Sequence, residues 1–401
     1  MTRVIHTGDT HLGYRQYHSP VRRQDFADAF RSVVEDAVED DVDAVVHAGD
    51  LYHDRQPGLP DLLDTIDILT PLRENDIPFL AVVGNHESTR QGQWLDLFET
   101  LGLATRLDAD GTAVGDTTFY GLDYVPESKR DQLDYEFTPP ETEHAALVSH
   151  GLFTPFPHAN WETETVLGES NVDFDAFLLG DNHAPDRAEV MDTWVTYCGS
   201  TERASASERD PRGYNIVTFD GGATITRRGV DTRDFVFLDL ELKGDEGTAY
   251  VRDRVRDADV ADAVVVVTVE GEGGQVTPAD VEAFGEERGA LVTRVNDRRE
   301  VEDETDIDVS FADPDEAVRE RVRELGLSAT ARDIDETVRE SKLADANVRD
   351  AVKDRVQEAI SDAPDADSPP DGDPPSGVDD AADGDGASDE TDGQAAMGEF
   401  Q

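Results

Sequence analysis

The stretch RVIHTGDTHLG, residues 3–13, decides how the first half of the chain is read. A short apolar run reaches a glycine, and just beyond it an acid, Asp9, and a histidine, His11, stand two positions apart. The same design returns at DAVVHAGD (43–50), PFLAVVGNH (78–86), AALVSHG (145–151) and DAFLLGDNH (175–183). Between the first two runs, Phe26, Phe30, Val33, Val34 and Val38 recur at helical spacing and predict one buried helix face. Short strands alternating with amphipathic helices, from Arg3 to about Asp220, predict a layered α/β domain. Open α/β sheets hold their ligands beyond the strand ends, where these polar residues stand.

The residues at those ends share one chemistry. GDTHLG supplies Asp9 and His11, GDLYH supplies Asp50 and His53, GNHE supplies Asn85 and His86, SHG supplies His150, and GDNH supplies Asp181 and His183. A lone histidine at a strand end is usually just hydrogen-bonded, and His6, His18, His47, His144 and His158 are read that way. Five such motifs in order are a constellation. Carboxylate, amide and imidazole suit Mn, Mg, Fe or Zn. A bridging carboxylate can hold two such ions about 3.5–4 Å apart, where they polarise a phosphoryl group and lower the pKa of a bound water. An imidazole outside the ligand set can protonate the leaving oxygen. Together these predict phosphoester hydrolysis.

The motif order D-x-H, GD-x-x-H, GNHE, HG and G-x-x-H resembles the calcineurin-like metallophosphoesterases, and GDTHLGYRQY, GDLYHDRQP and YCGSTERAS resemble the archaeal meiotic recombination eleven (SbcD-like) nucleases. The resemblance covers roughly residues 1 to 220. It implies a layered sandwich of two sheets flanked by helices, with a small α/β capping domain and a helical C-terminal segment. It also implies that Asp9, His11 and His183 hold one metal, that Asn85 and His150 hold the other, and that Asp50 bridges them. His86 resembles the proton donor to the leaving group and His53 its partner near the scissile phosphate, with support of the metal ligands as the plainer role for both. The last motif is usually G-H-x-H, so Asp181 stands where an imidazole is expected. A carboxylate there can still bind Mn or Mg and hold the ion against competing salt; the opposing reading is a weakened second site.

Composition bounds the setting. The chain carries 91 Asp+Glu against 35 Lys+Arg, a net charge of -56, and its only lysines are Lys129, Lys243, Lys342 and Lys353. Acids spread along amphipathic segments fit life at molar salt, where the Debye length shrinks to about 3 Å and self-repulsion is screened; an acidic protein of an ordinary cytosol is the alternative. Cys198 is the only cysteine, which excludes an internal disulfide and a cysteine zinc site. No apolar run approaches the roughly 20 residues that span a bilayer, and no signal-peptide pattern opens the chain, so a soluble cytoplasmic protein is expected, associated with the nucleoid.

Four segments are expected: 1–220 as the phosphoesterase domain, 221–312 as the small α/β domain, 313–363 as helices and 364–401 as a disordered acidic tail. Strands are predicted at DFVFLDLEL, DAVVVVTVE and GALVTRV, with helices of about ten residues between them. Val348, Val352, Val356 and Ile360 form a stripe that either packs on the body or binds another protein. Arginines gather beside the motifs (Arg15, Arg22, Arg23, Arg55, Arg90, Arg187 and Arg203), and guanidinium forks suit phosphate, although each can instead pair with a nearby acid.

The family implies two Mn2+ ions, with Mg2+ or Fe2+ as alternatives, action on double- and single-stranded DNA ends, a homodimer and a zinc-hook SMC-like ATPase partner. Two other functions stay open: a DNA-end scaffold with a dispensable nuclease, and a phosphodiesterase acting on small molecules.

Overall fold

In the computed structural model, residues 1–299 are described, apart from 90, 91 and 131. The expected C-terminal helices, the acidic tail, the end of the 221–312 segment and Arg90 lie outside the described residues.

Each apolar run near the start of the chain is a strand buried on both faces, which is why it reads as continuous hydrophobic sequence. Within the Thr2–Thr7 strand, Val4 and Ile5 point to opposite cores. Val4 aligns with Ala44 and Val217, and joins Leu80, Phe119, Val148 and Leu178 between two sheets. Ile5 aligns with Val45 and packs under two helices, Pro20–Glu39 and Leu59–Glu74. Burying a side chain of this kind stabilises the fold by about 1.5–3 kcal/mol, so the period-two alternation of each strand binds three layers together.

The first sheet has six strands, in the order Ala223–Gly229, Gly213–Phe219, Thr2–Thr7, Ala44–His47, Phe79–Ala81 and Thr105–Arg106. The last four run parallel, and Gly213–Phe219 lies antiparallel to Thr2–Thr7. The second sheet runs Thr112–Val114, Thr117–Leu122, His144–His150, Ala176–Gly180, Thr193–Tyr197 and Asp186–Val190, with its four central strands parallel. A third core, of Tyr120, Phe153, Trp161, Phe177 and Tyr197, covers its outer face.

The Pro20–Glu39 helix starts where Ser19 accepts a hydrogen bond from the Arg22 amide at 3.4 Å and Pro20 supplies a preset φ. Phe26, Phe30, Val33 and Val34 form its buried face, with Val38 partly buried at the edge. The helix ends at Asp40, and Asp41 turns the chain with φ 49°.

Strands Phe235–Lys243, Val264–Glu272 and Val292–Asp297 form a parallel three-stranded layer. Helices Thr248–Asp257 and Pro278–Glu287 cross between them and enclose a separate core of Leu242, Val251, Val255, Val267 and Val281. No helix among the described residues is long and apolar enough to cross a membrane.

Candidate metal centre

Strand ends from both sheets meet at one edge of the sandwich, and the chain reverses sharply there. Asp9, His11, Asp50 and Asp181 all have left-handed backbone, with φ of 50°, 45°, 55° and 90°. An L-residue in that conformation costs about 1–2 kcal/mol, a strain held here by neighbouring structure. The Asp9 amide donates to Gly49 O at 3.0 Å, and the His11 amide donates to Asp50 O at 3.0 Å. Glycine is required where backbones close in. A Cβ on Gly84 would stand 2.1 Å from Asp50 Oδ1, and one on Gly180 would stand 2.2 Å from Ala48 O.

Asp50 occupies the centre. Its Oδ2 lies 3.9 Å from His11 Nε2 and its Oδ1 lies 3.5 Å from His150 Nε2, so the two oxygens face different imidazoles. On one side, His11 Nε2 and His183 Nε2 are 3.0 Å apart. On the other, His150 Nε2 and Asn85 Oδ1 are also 3.0 Å apart. Donor atoms of Asp9, His11 and His183 lie within 4.8 Å of one another, as do those of Asp9, Asp50 and His150, and those of His11, His53 and His86. Two donors about 2.1 Å from a shared ion, at right angles, stand about 3 Å apart. The donor set therefore fits two divalent ions. Asp181 stands beside this set: its Oδ1 is 3.8 Å from His150 Nε2, and its amide donates to the Asp9 carboxylate at 3.1 Å.

The electrostatics follow from burial and crowding. Burial pushes the Asp9 carboxyl up to about 6, against the pull of His183 and His150. Burial alone would raise Asp50 as well, but His150, His86 and His11 outweigh it and hold Asp50 below the usual carboxylate range. Burial disfavours a charged His150, yet Asp50 and Asp181 hold its proton well above the usual imidazole range. Burial and the neighbouring His86 lower His53 to about 4. His53 stacks on Tyr14 with ring centres 3.8 Å apart. His86 Nδ1 meets the His53 carbonyl at 2.7 Å, which turns its Nε2 toward Asp50 at 4.0 Å.

Two supporting groups, Glu87 and Glu208, escape the sequence reading. Glu87, the last letter of GNHE, accepts from the Tyr52 amide at 2.7 Å and the Gly84 amide at 3.1 Å, tying two motif loops together. Burial, with Asp50 close by, raises its carboxyl to about 8. His47, expected to be an ordinary hydrogen-bonded histidine, is buried and meets the Thr10 hydroxyl at 3.0 Å, between Asp9 and His11 in the sequence. Glu208 meets His183 Nδ1 at 2.8 Å, from the loop just past YCGSTERAS.

The arginines divide. Arg22 is buried against Asp25 and Glu202, and Arg23 pairs with Asp61 and Asp64, each at 2.7 Å, so both serve internal ion pairs. Arg187 donates to Ile225 O at 3.0 Å, and Arg203 donates to Glu208 O at 3.1 Å. Arg15 stays exposed beside the first motif.

Comparison with known proteins gives the family. The family model described as calcineurin-like phosphoesterase matches residues 2–185. The chain is 68% identical over 369 residues to the DNA double-strand break repair protein Mre11 of Haloferax volcanii, covering 91% of this chain and 84% of that one. It is 64% identical to the Mre11 of Halobacterium salinarum, covering 91% and 96%, and 43% identical to that of Methanosarcina acetivorans, covering 89% and 61%. With high-identity relatives from haloarchaea, the acidic composition fits a halophile. The chain belongs to the Mre11 family of DNA double-strand break repair proteins, and is a metal-dependent nuclease built on a calcineurin-like phosphoesterase fold.

Proposed function

We propose that the protein hydrolyses DNA phosphodiesters with two Mn2+ ions, as a 3′–5′ exonuclease on duplex ends and an endonuclease on single strands. The observation that carries this reading is Asp50, whose two oxygens face imidazoles on opposite sides of the site. Asp9, His11 and His183 would hold one ion, Asn85, His150 and Asp181 the other, with Asp50 shared. When bound, the ions supply Lewis acidity toward the phosphoryl group and a water of lowered pKa. His86, anchored through Nδ1 and open at Nε2, delivers the proton to the leaving oxygen. His53 orients it through the carbonyl that Nδ1 meets, and its own ring is fixed by Tyr14.

The division into a phosphoesterase body and a capping domain, expected at 1–220 and 221–312, is supported by the separate core of the three-stranded layer, which begins at Phe235, while Ala223–Gly229 still pairs within the first sheet of the body. A homodimer is supported by large exposed apolar residues of the body, Leu59 and Leu63 on the Leu59–Glu74 helix, Leu97 on the Trp94–Thr100 helix and Leu101 just past its end. The repair role named for the relatives supports action on DNA in the cytoplasm, beside the nucleoid, together with a zinc-hook SMC-like ATPase. Exposed Arg15 is the motif-side arginine best able to meet backbone phosphate.

The test is cleavage of end-labelled linear duplex DNA in molar KCl with Mn2+, beside Asp50→Ala. Loss of a shared ligand should abolish cleavage, by at least about 1000-fold given what such charge clamps contribute. Equal cleavage by the variant would sink the two-metal reading. In the same preparations, Asp181→Ala should bind fewer than two Mn2+ ions per chain; an unchanged stoichiometry removes Asp181 from the ligand set.

A further inference from the structure

His183 is gripped from behind by Glu208 and Arg212, which lie just past YCGSTERAS. Its Nδ1 meets Glu208 Oε1 at 2.8 Å, so Nδ1 carries the proton and Nε2, 3.0 Å from His11 Nε2, is left free to bind an ion. The other oxygen of Glu208 accepts from Ala204 N and Arg212 Nη1, each at 3.1 Å, and from Ser200 Oγ at 3.3 Å. Arg212, itself buried, also donates to the His183 carbonyl at 3.0 Å. Ring and backbone of His183 are therefore both held by one Glu208–Arg212 pair.

The same loop reaches the three-stranded layer. Arg203 donates to Glu208 O at 3.1 Å and to Thr232 Oγ1 at 2.9 Å, and its guanidinium lies 5.3 Å from the centre of the Phe235 ring. Arg209, next to Glu208, forms a two-pronged pair with Asp239 at 2.7 and 2.6 Å and lies over Phe237. Thr232 leads into the Phe235–Lys243 strand, and Phe235, Phe237 and Asp239 belong to it. The Arg209 pair is exposed, and molar salt screens it. Arg203, partly buried, is the stronger tie.

We propose that Glu208 is a positioning residue for His183, and that the Arg203 tie makes this metal position responsive to where the three-stranded layer sits. The proposal rests on His183 being a metal ligand, as read above. A carboxylate behind a ligating imidazole fixes its tautomer and raises its basicity, and losing one weakens metal binding by about 10- to 100-fold. The partner ligand His150 has a different support, since its Nδ1 meets the neutral Ala48 carbonyl at 2.8 Å.

The experiment is calorimetric titration of the full-length, metal-stripped protein with Mn2+ alone in molar KCl, with thermal melts as a check on folding. Glu208→Ala should weaken one of the two ions by about 10- to 100-fold and leave the other unchanged. Glu208→Gln, of the same shape and still able to accept from Nδ1, should lose less and serves if the alanine variant does not fold. Arg203→Ala should weaken the same ion measurably, but by less than Glu208→Ala does, because it acts on Glu208 and not on the imidazole. Wild-type binding by Glu208→Ala, or by Glu208→Gln where the alanine variant does not fold, with one ion lost in His183→Ala, overturns the positioning role. Wild-type binding by Arg203→Ala overturns the tie to the layer. If His183→Ala keeps both ions, the ligand assignment itself fails and the proposal falls with it.

Discussion

Two parts of this molecule use the same parallel strands to opposite ends. In the body, Thr2–Thr7, Ala44–His47 and Phe79–Ala81 are short and stop one to three residues before a glycine, and Asp9, His11 and Asp50 turn back through left-handed backbone. In the three-stranded layer, Phe235–Lys243 and Val264–Glu272 run for nine residues each and pass into exposed acids such as Glu270 and Glu272. Every histidine of the chain lies at or before His183, none in the layer. A parallel sheet creates the crevice, but a site arises only where the strand is cut short and acids and imidazoles are folded inward. The layer keeps regular hydrogen bonding and carries no such cluster among the described residues.

The contrast can be broken by disturbing each part alone. The largest effect should come from Gly84→Ala, whose Cβ would press on Asp50. A displacement near 1 Å at such a site costs about 100-fold in cleavage rate, measured on duplex DNA in molar KCl; wild-type cleavage would mean that the close approach is not required. Next is Val267→Ala, fully buried in the layer. It should destabilise the layer by about 2 kcal/mol through lost burial and a residual cavity, while Mn2+ stoichiometry stays unchanged. Loss of a bound ion there would show that the two regions are less separate than their cores.

The smallest effect sharpens the comparison through pH. His6 and His47 are buried in the body, and burial lowers both to about 3. Because the unfolded chain takes up a proton near pH 6.5 while the folded one does not, this stability is present above pH 6.5 and lost as pH falls. Between pH 6.5 and 5.5 each histidine should remove about 1 kcal/mol. Amide exchange at the two pH values should show the body weakening more than the layer. Equal weakening of both would mean that other groups dominate.

What could be read beforehand follows the same division. A strand buried on both faces must be apolar throughout, and a sharp exit needs glycine and small polar residues, so the positions of Asp9, Asp50, His86, His150 and His183 at strand ends are legible without coordinates. The three valine-rich strands of the layer are legible for the same reason. Arg22 and Arg23 stay ambiguous in the sequence, where nearness to GDTHLG suggests phosphate and the many acids suggest pairing, and the fold decides for the acids Asp25, Glu202, Asp61 and Asp64. Glu208 is silent in the sequence: 25 residues separate it from His183, in a loop without periodicity, and only tertiary folding joins them. Asp181 is conspicuous as a departure from a motif, yet its place beside His150 depends on a backbone φ of 90° that no letter announces.

The pairing of Thr2–Thr7 with Gly213–Phe219 has a consequence for how the chain is made. The antiparallel neighbour of the first strand is made some two hundred residues after it, so one long edge of the first sheet stays open in the meantime. Sheets closed by such distant segments fold slowly and expose sticky edges meanwhile. In a cell filled with molar salt, which strengthens apolar association, the dense carboxylates of this chain would then guard the nascent polypeptide as much as the finished enzyme.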